Sequence, residues 1–290
     1  MKLTDMPAAK PKQRAPFDFV PLPGERSTRK PRGRGQTMML DDGLPLAYTR
    51  DLVSLAGAYI DLAKIKTGTV RLYPREILLD KLRLYRRNRI QPFLGGQFHE
   101  YVFATQGERA LPSYYAEALA LGFKAIEISD NVVPLTEAQR RAQIRNAASA
   151  GLIVFGEVGS KETLSKPSLL IGQAHTCFDA GAALVLVEAA ELIEKGKLRS
   201  RTIDLLTRSL DMSRVMIELP GPWISGVRSC DIEDIKKALI VALGADVNLA
   251  NVPAYSIIDT EAARVGLGTA GPPKPGRRTN APRTSRKAGA

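Results

Sequence analysis

A chain of 290 residues, 44% of them hydrophobic, holds enough apolar material for one large core, arranged as one domain or two. Its net charge of +12 sits at the ends: residues 1–36 carry nine Lys/Arg against three Asp/Glu, residues 268–290 carry six Lys/Arg and no acid, and residues 37–267 hold 27 of each sign. That distribution excludes a basic nucleic-acid-binding core, the lack of an 18-residue apolar run excludes a spanning helix, and two cysteines without a CxxC pair exclude a disulfide framework or a zinc site.

Residues 1–36 and 268–290 are rich in Pro, Gly and basic residues. They read as disordered basic tails, because such segments bury too little apolar surface to offset their ordering entropy. Weak anion or nucleic-acid contact is the most their charge supports. No apolar segment of a secretory signal opens the chain, so a cytoplasmic setting is expected.

Between the tails, short apolar β-branched runs alternate with helical patterns. The expected strands are Met38–Leu40, Tyr59–Ile65, Ile90–Leu94, Ala125–Ile128, Leu152–Val158, Ala183–Val187, Val215–Leu219 and Asp246–Leu249. Most are continuous apolar runs, as expected of strands covered on both faces. Pro74–Arg87 spaces Ile77, Leu78, Leu82 and Tyr85 helically behind a proline start. Ser113–Leu121, a helix opening at Thr136 with Gln139 as its capping-box partner, Leu169–Ala180, Thr202–Ser209 and Ile232–Leu243 follow. Gly122, Gly151, Gly181 and Gly244 each stand between a helix and a strand, the punctuation of a parallel α/β protein. Eight strands in residues 37–267 favour a closed (β/α)8 TIM barrel as a single domain. The absence of GxGxxG and Walker patterns weighs against an open nucleotide-binding sheet.

Barrel chemistry gathers at the carboxyl ends of the strands. Those ends carry Lys64 and Lys66 before Gly68, then Gly95-Gly96, Glu127 with Asp130, Glu157 with Lys161, Glu188, Glu218, and Asn248 with Asn251. A carboxylate inside an apolar strand must be paired or hold a cation. Glu127, Asp130, Glu188 and Glu218 are therefore candidate ligands for Mg2+, a hard cation that takes oxygen donors and keeps waters for a substrate phosphate. Lys64, Lys161 and Glu157 are candidate catalytic groups. Lys66, Gly68, Gly95, Gly96, Asn248 and Asn251 are candidate substrate-binding groups, the glycines through exposed backbone N–H groups. A supporting ring of ion pairs would use the same residues. His99 is expected to be a packing residue rather than a base, His175 to be structural, and Trp223 either to cap the site or to pack its own loop.

The segments Leu40-Asp41-Asp42-Gly43-Leu44-Pro45, Tyr59-Ile60-Asp61-Leu62-Ala63-Lys64, Gly95-Gly96, Phe98-His99-Glu100-Tyr101, Glu127-Ile128-Ser129-Asp130, Glu157-Val158-Gly159 and Val247-Asn248-Leu249-Ala250-Asn251 are together similar to the phosphosulfolactate synthase family, collinear from Met39 to Gly268. The resemblance implies a Mg2+-dependent lyase on a TIM barrel. It would add sulfite to phosphoenolpyruvate to give phosphosulfolactate, an intermediate of coenzyme M synthesis. A cytoplasmic homo-oligomer, a trimer, is also implied. The chain departs from the family pattern where an aromatic is lost and Lys66 is new, where Ser160 replaces a lysine ahead of Lys161, where Ala190 stands at a family arginine, and at Gly268-Thr269-Ala270-Gly271.

Three functions fit such a sequence: the family reaction, the same barrel acting on a different enolate-type acid, and a silent barrel used for binding. Lys66 and Lys161 near Glu127 and Glu157 would favour the first. A cavity lined by Gln97, Phe98, His99 and Ala190 without cations would favour the second, and a mouth closed by apolar side chains the third.

Overall fold

The computed structural model describes residues 15–24, 26–160, 164–194 and 197–268. Its strands are β1 (Thr37–Asp41), β2 (Leu62–Ile65), β3 (Gln91–Leu94), β4 (Ala125–Ile128), β5 (Ile153–Val158), β6 (Leu184–Glu188), a small antiparallel hairpin of β7 (Ile193–Glu194) and β8 (Lys197–Leu198), then β9 (Val215–Glu218) and β10 (Leu249–Pro253). Apart from the hairpin they close into one parallel barrel in the order β1-β10-β9-β6-β5-β4-β3-β2. Around it run α1 (Leu46–Ala56), α2 (Arg75–Arg87), α3 (Gly96–Gln106), α4 (Leu111–Leu121), α5 (Glu137–Ser149), α6 (Pro167–Ala180), α7 (Ser200–Ser209), α8 (Ser229–Leu243) and α9 (Ile257–Arg264). The protein is a (β/α)8 barrel.

The helix punctuation follows the sequence. Gly122, Gly151, Gly181 and Gly244 all adopt positive φ, which lets each helix end and the chain turn back into the sheet at little steric cost. Thr136 and Gln139 form the expected reciprocal cap at the start of α5. Three helices escape the sequence reading, α1, α3 and α9. The second begins at Gly96, where a double glycine reads as a turn.

Inside the barrel, Met38, Leu62, Phe93, Ala125, Phe155, Leu186, Met216 and Ala250 form one buried layer, a residue from each strand. Phe93 and Phe155 meet edge to face with centroids 4.9 Å apart. The outward faces pack under the helices in a second, larger cluster. Strand alternation then dictates the next inward layer, two residues further along each strand. That layer contains Lys64, Glu127, Glu157, Glu188 and Glu218. An apolar plug therefore supports a charged floor.

The N-terminal boundary needs correction. Residues 26–36 form a strap across the amino ends of the strands. Arg32 makes two hydrogen bonds to Asp61, at 2.8 and 3.0 Å, and a third to the Ala58 carbonyl at 2.6 Å. Arg26 pairs with Glu261 on α9 at 2.8 Å, and Lys30 donates to the Gly57 carbonyl at 2.6 Å. Charge and proline content suggested a tail, but these cations meet acceptors that local sequence cannot reveal. The expectations of disorder for 1–14 and for 269–290 lie outside the described residues.

β10 starts later than expected, at Leu249, and its register is irregular. Thr37 pairs with Leu249 and Met39 with Val252, so β10 carries one extra residue there. Such a bulge bends the strand and re-aims a side chain. Asn251 occupies it with φ of 56°, a left-handed conformation that Asn tolerates better than most residues.

Candidate active site

The charged floor converges on Lys64. Its Nζ lies 2.8 Å from Glu127 Oε2 and 3.2 Å from Glu218 Oε1. Among the described residues, Glu127, Glu157 and Glu218 each offer a carboxylate oxygen, and these three oxygens lie within 4.8 Å of one another. All four side chains are buried. Burial works against the charge on Lys64, but Glu127, Glu218 and Glu157 together outweigh it and hold the amine as an ammonium. Burial pushes Glu127 up to about 8 against the pull of Lys64, with Glu157 and Glu218 adding to the rise. Three carboxyl groups crowd one ammonium, and Glu127 keeps a proton that a divalent cation with oxygen ligands would displace.

Each of the three carboxylates is oriented by a neighbour. The N–H of Gly96, at the start of α3, donates to Glu127 Oε1 at 3.0 Å. A Cβ on Gly96 would stand 2.2 Å from Ser129 Oγ and 2.9 Å from that same oxygen, so only glycine permits this approach. Asn131 donates to Glu157 Oε1 at 2.7 Å. From the bulge, Asn251 donates to Glu218 Oε1 at 2.6 Å, while its own Oδ1 is buried without a hydrogen-bond partner among the described residues.

The loops above are pinned by two buried carboxylates that the strand-end reading passed over. Glu100 on α3 accepts from the N–H groups of Val132 and Val133 at 2.7 and 2.8 Å, and from the hydroxyl of Ser129. Glu191 accepts from the N–H groups of Ser160 and Ser165 at 2.8 and 2.7 Å, gripping both sides of the segment that follows β5. Neither has a signal in a one-residue view of the sequence. Their role rests on helix and loop meeting in space.

The floor opens into a cavity of about 250 Å3, lined among others by Lys66, Gly95, Gly96, Gln97, Asn131, Trp223 and Asn251. Lys66 Nζ sits 4.0 Å from the centroid of the Trp223 ring. Burial lowers the Lys66 pKa, with Asp42 opposing. The sequence reading had Trp223 either capping the site or packing its loop, and it does both: the ring lines the mouth and lies on Gly221, where a Cβ would come within 2.1 Å of it.

Several expected residues stand elsewhere. Asn248 precedes β10 at the opposite end of the barrel. It accepts from the Gln36 N–H at 2.8 Å and donates to the Val215 carbonyl at 2.9 Å, which makes it a structural clip between strands. Asp130 is outside the carboxylate group because Arg140 pairs with it, while the same guanidinium donates to the Glu157 carbonyl at 2.7 Å. Glu188 stands in register with Glu218 but is not part of the three-carboxylate group. Gly68 lies beneath Phe98, whose ring would be 3.1 Å from an added Cβ, and does not line the cavity. Lys161 falls outside the described residues. His99 is buried on α3 and hydrogen-bonds the Tyr115 hydroxyl at 3.0 Å, a packing role as expected.

Known proteins match this arrangement. The family model described as (2R)-phospho-3-sulfolactate synthase (ComA) matches residues 25–269. The chain is 31% identical over 262 residues to phosphosulfolactate synthase of Methanothermobacter thermautotrophicus, covering 87% of this chain and 95% of that one. It is 30% identical over 245 residues to phosphosulfolactate synthase of Methanocaldococcus jannaschii, covering 81% and 92%. Among solved structures, dihydrodipicolinate synthase from Agrobacterium tumefaciens superposes with a TM-score of 0.51 at 15% identity over 79% of this chain and 75% of that one, a likeness of fold. No helix among the described residues is long and apolar enough to cross a membrane.

Proposed function

Since the chain belongs to the phosphosulfolactate synthase family, we propose that it adds sulfite to phosphoenolpyruvate to give phosphosulfolactate. The observation that carries this reading is the buried Lys64 ringed by Glu127, Glu157 and Glu218 on the floor of a small strand-end cavity. In the reaction, the sulfur lone pair of sulfite forms a bond to C3. The C2–C3 π electrons move onto the carboxylate, and C2 then takes a proton while the phosphate ester stays intact. The barrel must therefore hold a polyanion, stabilise a dianionic aci-carboxylate and deliver one proton.

The residues fit Mg2+ by charge and donor chemistry: Glu127, Glu157 and Glu218 would hold it, and when bound it would supply positive charge against the developing aci-carboxylate. Lys64 adds a fixed ammonium beside that charge. Gly95, Gly96 and Gln97, at the amino end of α3, offer helix N-terminal charge to the phosphate. Asn131 keeps Glu157 turned into the cavity, and Asn251 does the same for Glu218. Lys161, outside the described residues, is assigned the proton for C2 in this reading on the resemblance to the family alone. A cytoplasmic homo-oligomer goes with the same proposal.

The test is incubation with phosphoenolpyruvate, sulfite and Mg2+, followed by mass spectrometry for the sulfonated adduct. Adduct formation that Lys161→Ala removes supports the assignment. No adduct at high enzyme concentration rejects the reaction.

A second reading, a related enolate-type acid in place of phosphoenolpyruvate, rests on the departures from the family pattern at Ser160 and Ala190. Replacing phosphoenolpyruvate by other phosphorylated acids in the same assay decides between them.

A further inference from the structure

We propose that Lys66 and Trp223 form an anion-selecting gate at the cavity mouth, with the Lys66 ammonium recognising the outermost anionic group of the ligand. This deepens the reading above, because that group would be the phosphate or the sulfonate of its substrate and product.

The two lysines of the cavity differ in how they are held. Lys64 is flanked by Glu127 and Glu218 and faces Glu157, so its charge is more than cancelled locally. Lys66 makes no ion pair with a carboxylate among the described residues. Its ammonium rests on the indole face of Trp223 at 4.0 Å. An aromatic face attracts a cation through its quadrupole and carries no net charge. A lysine held this way is offset only in part, by Asp42, and keeps more of its field for a third partner than one paired directly with carboxylates. The cavity is thus polarised along its depth, negative at the floor and positive at the mouth.

The indole is backed by its own loop. It lies against Gly221, and the Ile224 N–H donates to the Gly221 carbonyl at 3.0 Å, closing a tight turn around the ring. At the other end, the Lys66 N–H donates to the Asp41 carbonyl at 2.9 Å. Asp41 is locked by Lys81 at 2.7 Å and by the Tyr85 hydroxyl at 2.6 Å. The Lys66 backbone is therefore anchored in buried surroundings, while the indole, 40% exposed, is held by its turn and by Lys66 itself; such anchoring lowers the entropy lost when an anion is bound.

Trp223 is the single tryptophan of the chain, so intrinsic fluorescence reports on the gate directly. The wild type, Lys66→Met and Lys66→Arg are titrated with phosphoenolpyruvate, inorganic phosphate, sulfate and, as a neutral control, glycerol. Equilibrium dialysis against phosphoenolpyruvate is run in parallel and includes Trp223→Phe. The gate predicts a saturable fluorescence change with the anions and none with glycerol. It also predicts about tenfold weaker phosphoenolpyruvate binding in Lys66→Met, the loss of roughly one charge-assisted contact, with most of the affinity restored in Lys66→Arg. In steady state the loss should appear in KM more than in kcat. Unchanged dialysis affinity in Lys66→Met overturns the gate, as does saturation by phosphoenolpyruvate without a fluorescence change, or no binding of any anion by the wild type. Binding with no adduct rejects the reaction and keeps the gate. Adduct formed with an unaltered KM in Lys66→Met rejects the gate and keeps the reaction.

Discussion

Replacing Lys64 by Met keeps most of the side-chain volume and removes the charge. Its Nζ stands 2.8 Å from Glu127 Oε2 and 3.2 Å from Glu218 Oε1. At such distances and an effective dielectric of about 20, each pair is worth roughly 5 kcal/mol of Coulomb attraction. Desolvation of the ammonium and the carboxylates cancels much of that, and removing one partner of a buried pair costs about 3–5 kcal/mol. For a domain of this size, about 2–4 °C of melting temperature accompanies each kcal/mol, so Lys64→Met should melt on the order of 10 °C below the wild type in metal-free buffer. Mg2+ should recover more of the midpoint in the variant than it adds to the wild type, because the three carboxylates lose their internal counter-charge. Calorimetry of both proteins with chelator and with Mg2+ reads both effects. A metal-free midpoint within about 2 °C of the wild type would refute the claim that the ammonium holds the carboxylates together.

Arg32→Ala should cost about 3 kcal/mol in urea denaturation, because it leaves the buried Asp61 carboxylate without its guanidinium. Deleting residues 1–36 should destabilise the barrel at least as much, whereas deletion of a true tail would not. His99 is held down to about 4 by burial, against about 6.5 in an unfolded chain. As pH falls below the unfolded value, the unfolded state takes up a proton that the folded state refuses. Stability is therefore lost between those two values, by about 3 kcal/mol in all. His99→Phe should flatten that part of the profile, and parallel profiles for the two proteins would refute the assignment.

Much of the barrel was legible because its strands are continuous apolar runs and its helices end in glycine. Lys64, Glu127, Glu157 and Glu218 were legible as well, since each breaks an apolar run near a strand end, and alternation turns such a residue either inward or outward. The failures share a cause. Asn248 was placed in the cavity because the last strand was ended before Asn251 and Pro253. β10 begins only at Leu249, which leaves Asn248 at the far end, and the bulge after Leu249 brings Asn251 to the floor. Asp130 looked like a ligand until Arg140 approached it from α5. Glu100, Asn131 and Glu191 act through contacts 26 to 33 residues away in sequence, and no local pattern marks such pairs. The strap was misread for the same reason: Arg26 finds Glu261 across 235 residues.

That last pairing has a consequence in time. A chain emerging from the ribosome exposes Arg26, Lys30 and Arg32 early, yet Ala245, Asp246 and Glu261, which receive Arg26, come among the last of the described residues. The strap cannot fully dock until α9 has been made. Lys30 and Arg32 can meet Gly57 and Asp61 as soon as β2 has been made, so the strap docks in two stages far apart in synthesis, its Arg26 end last.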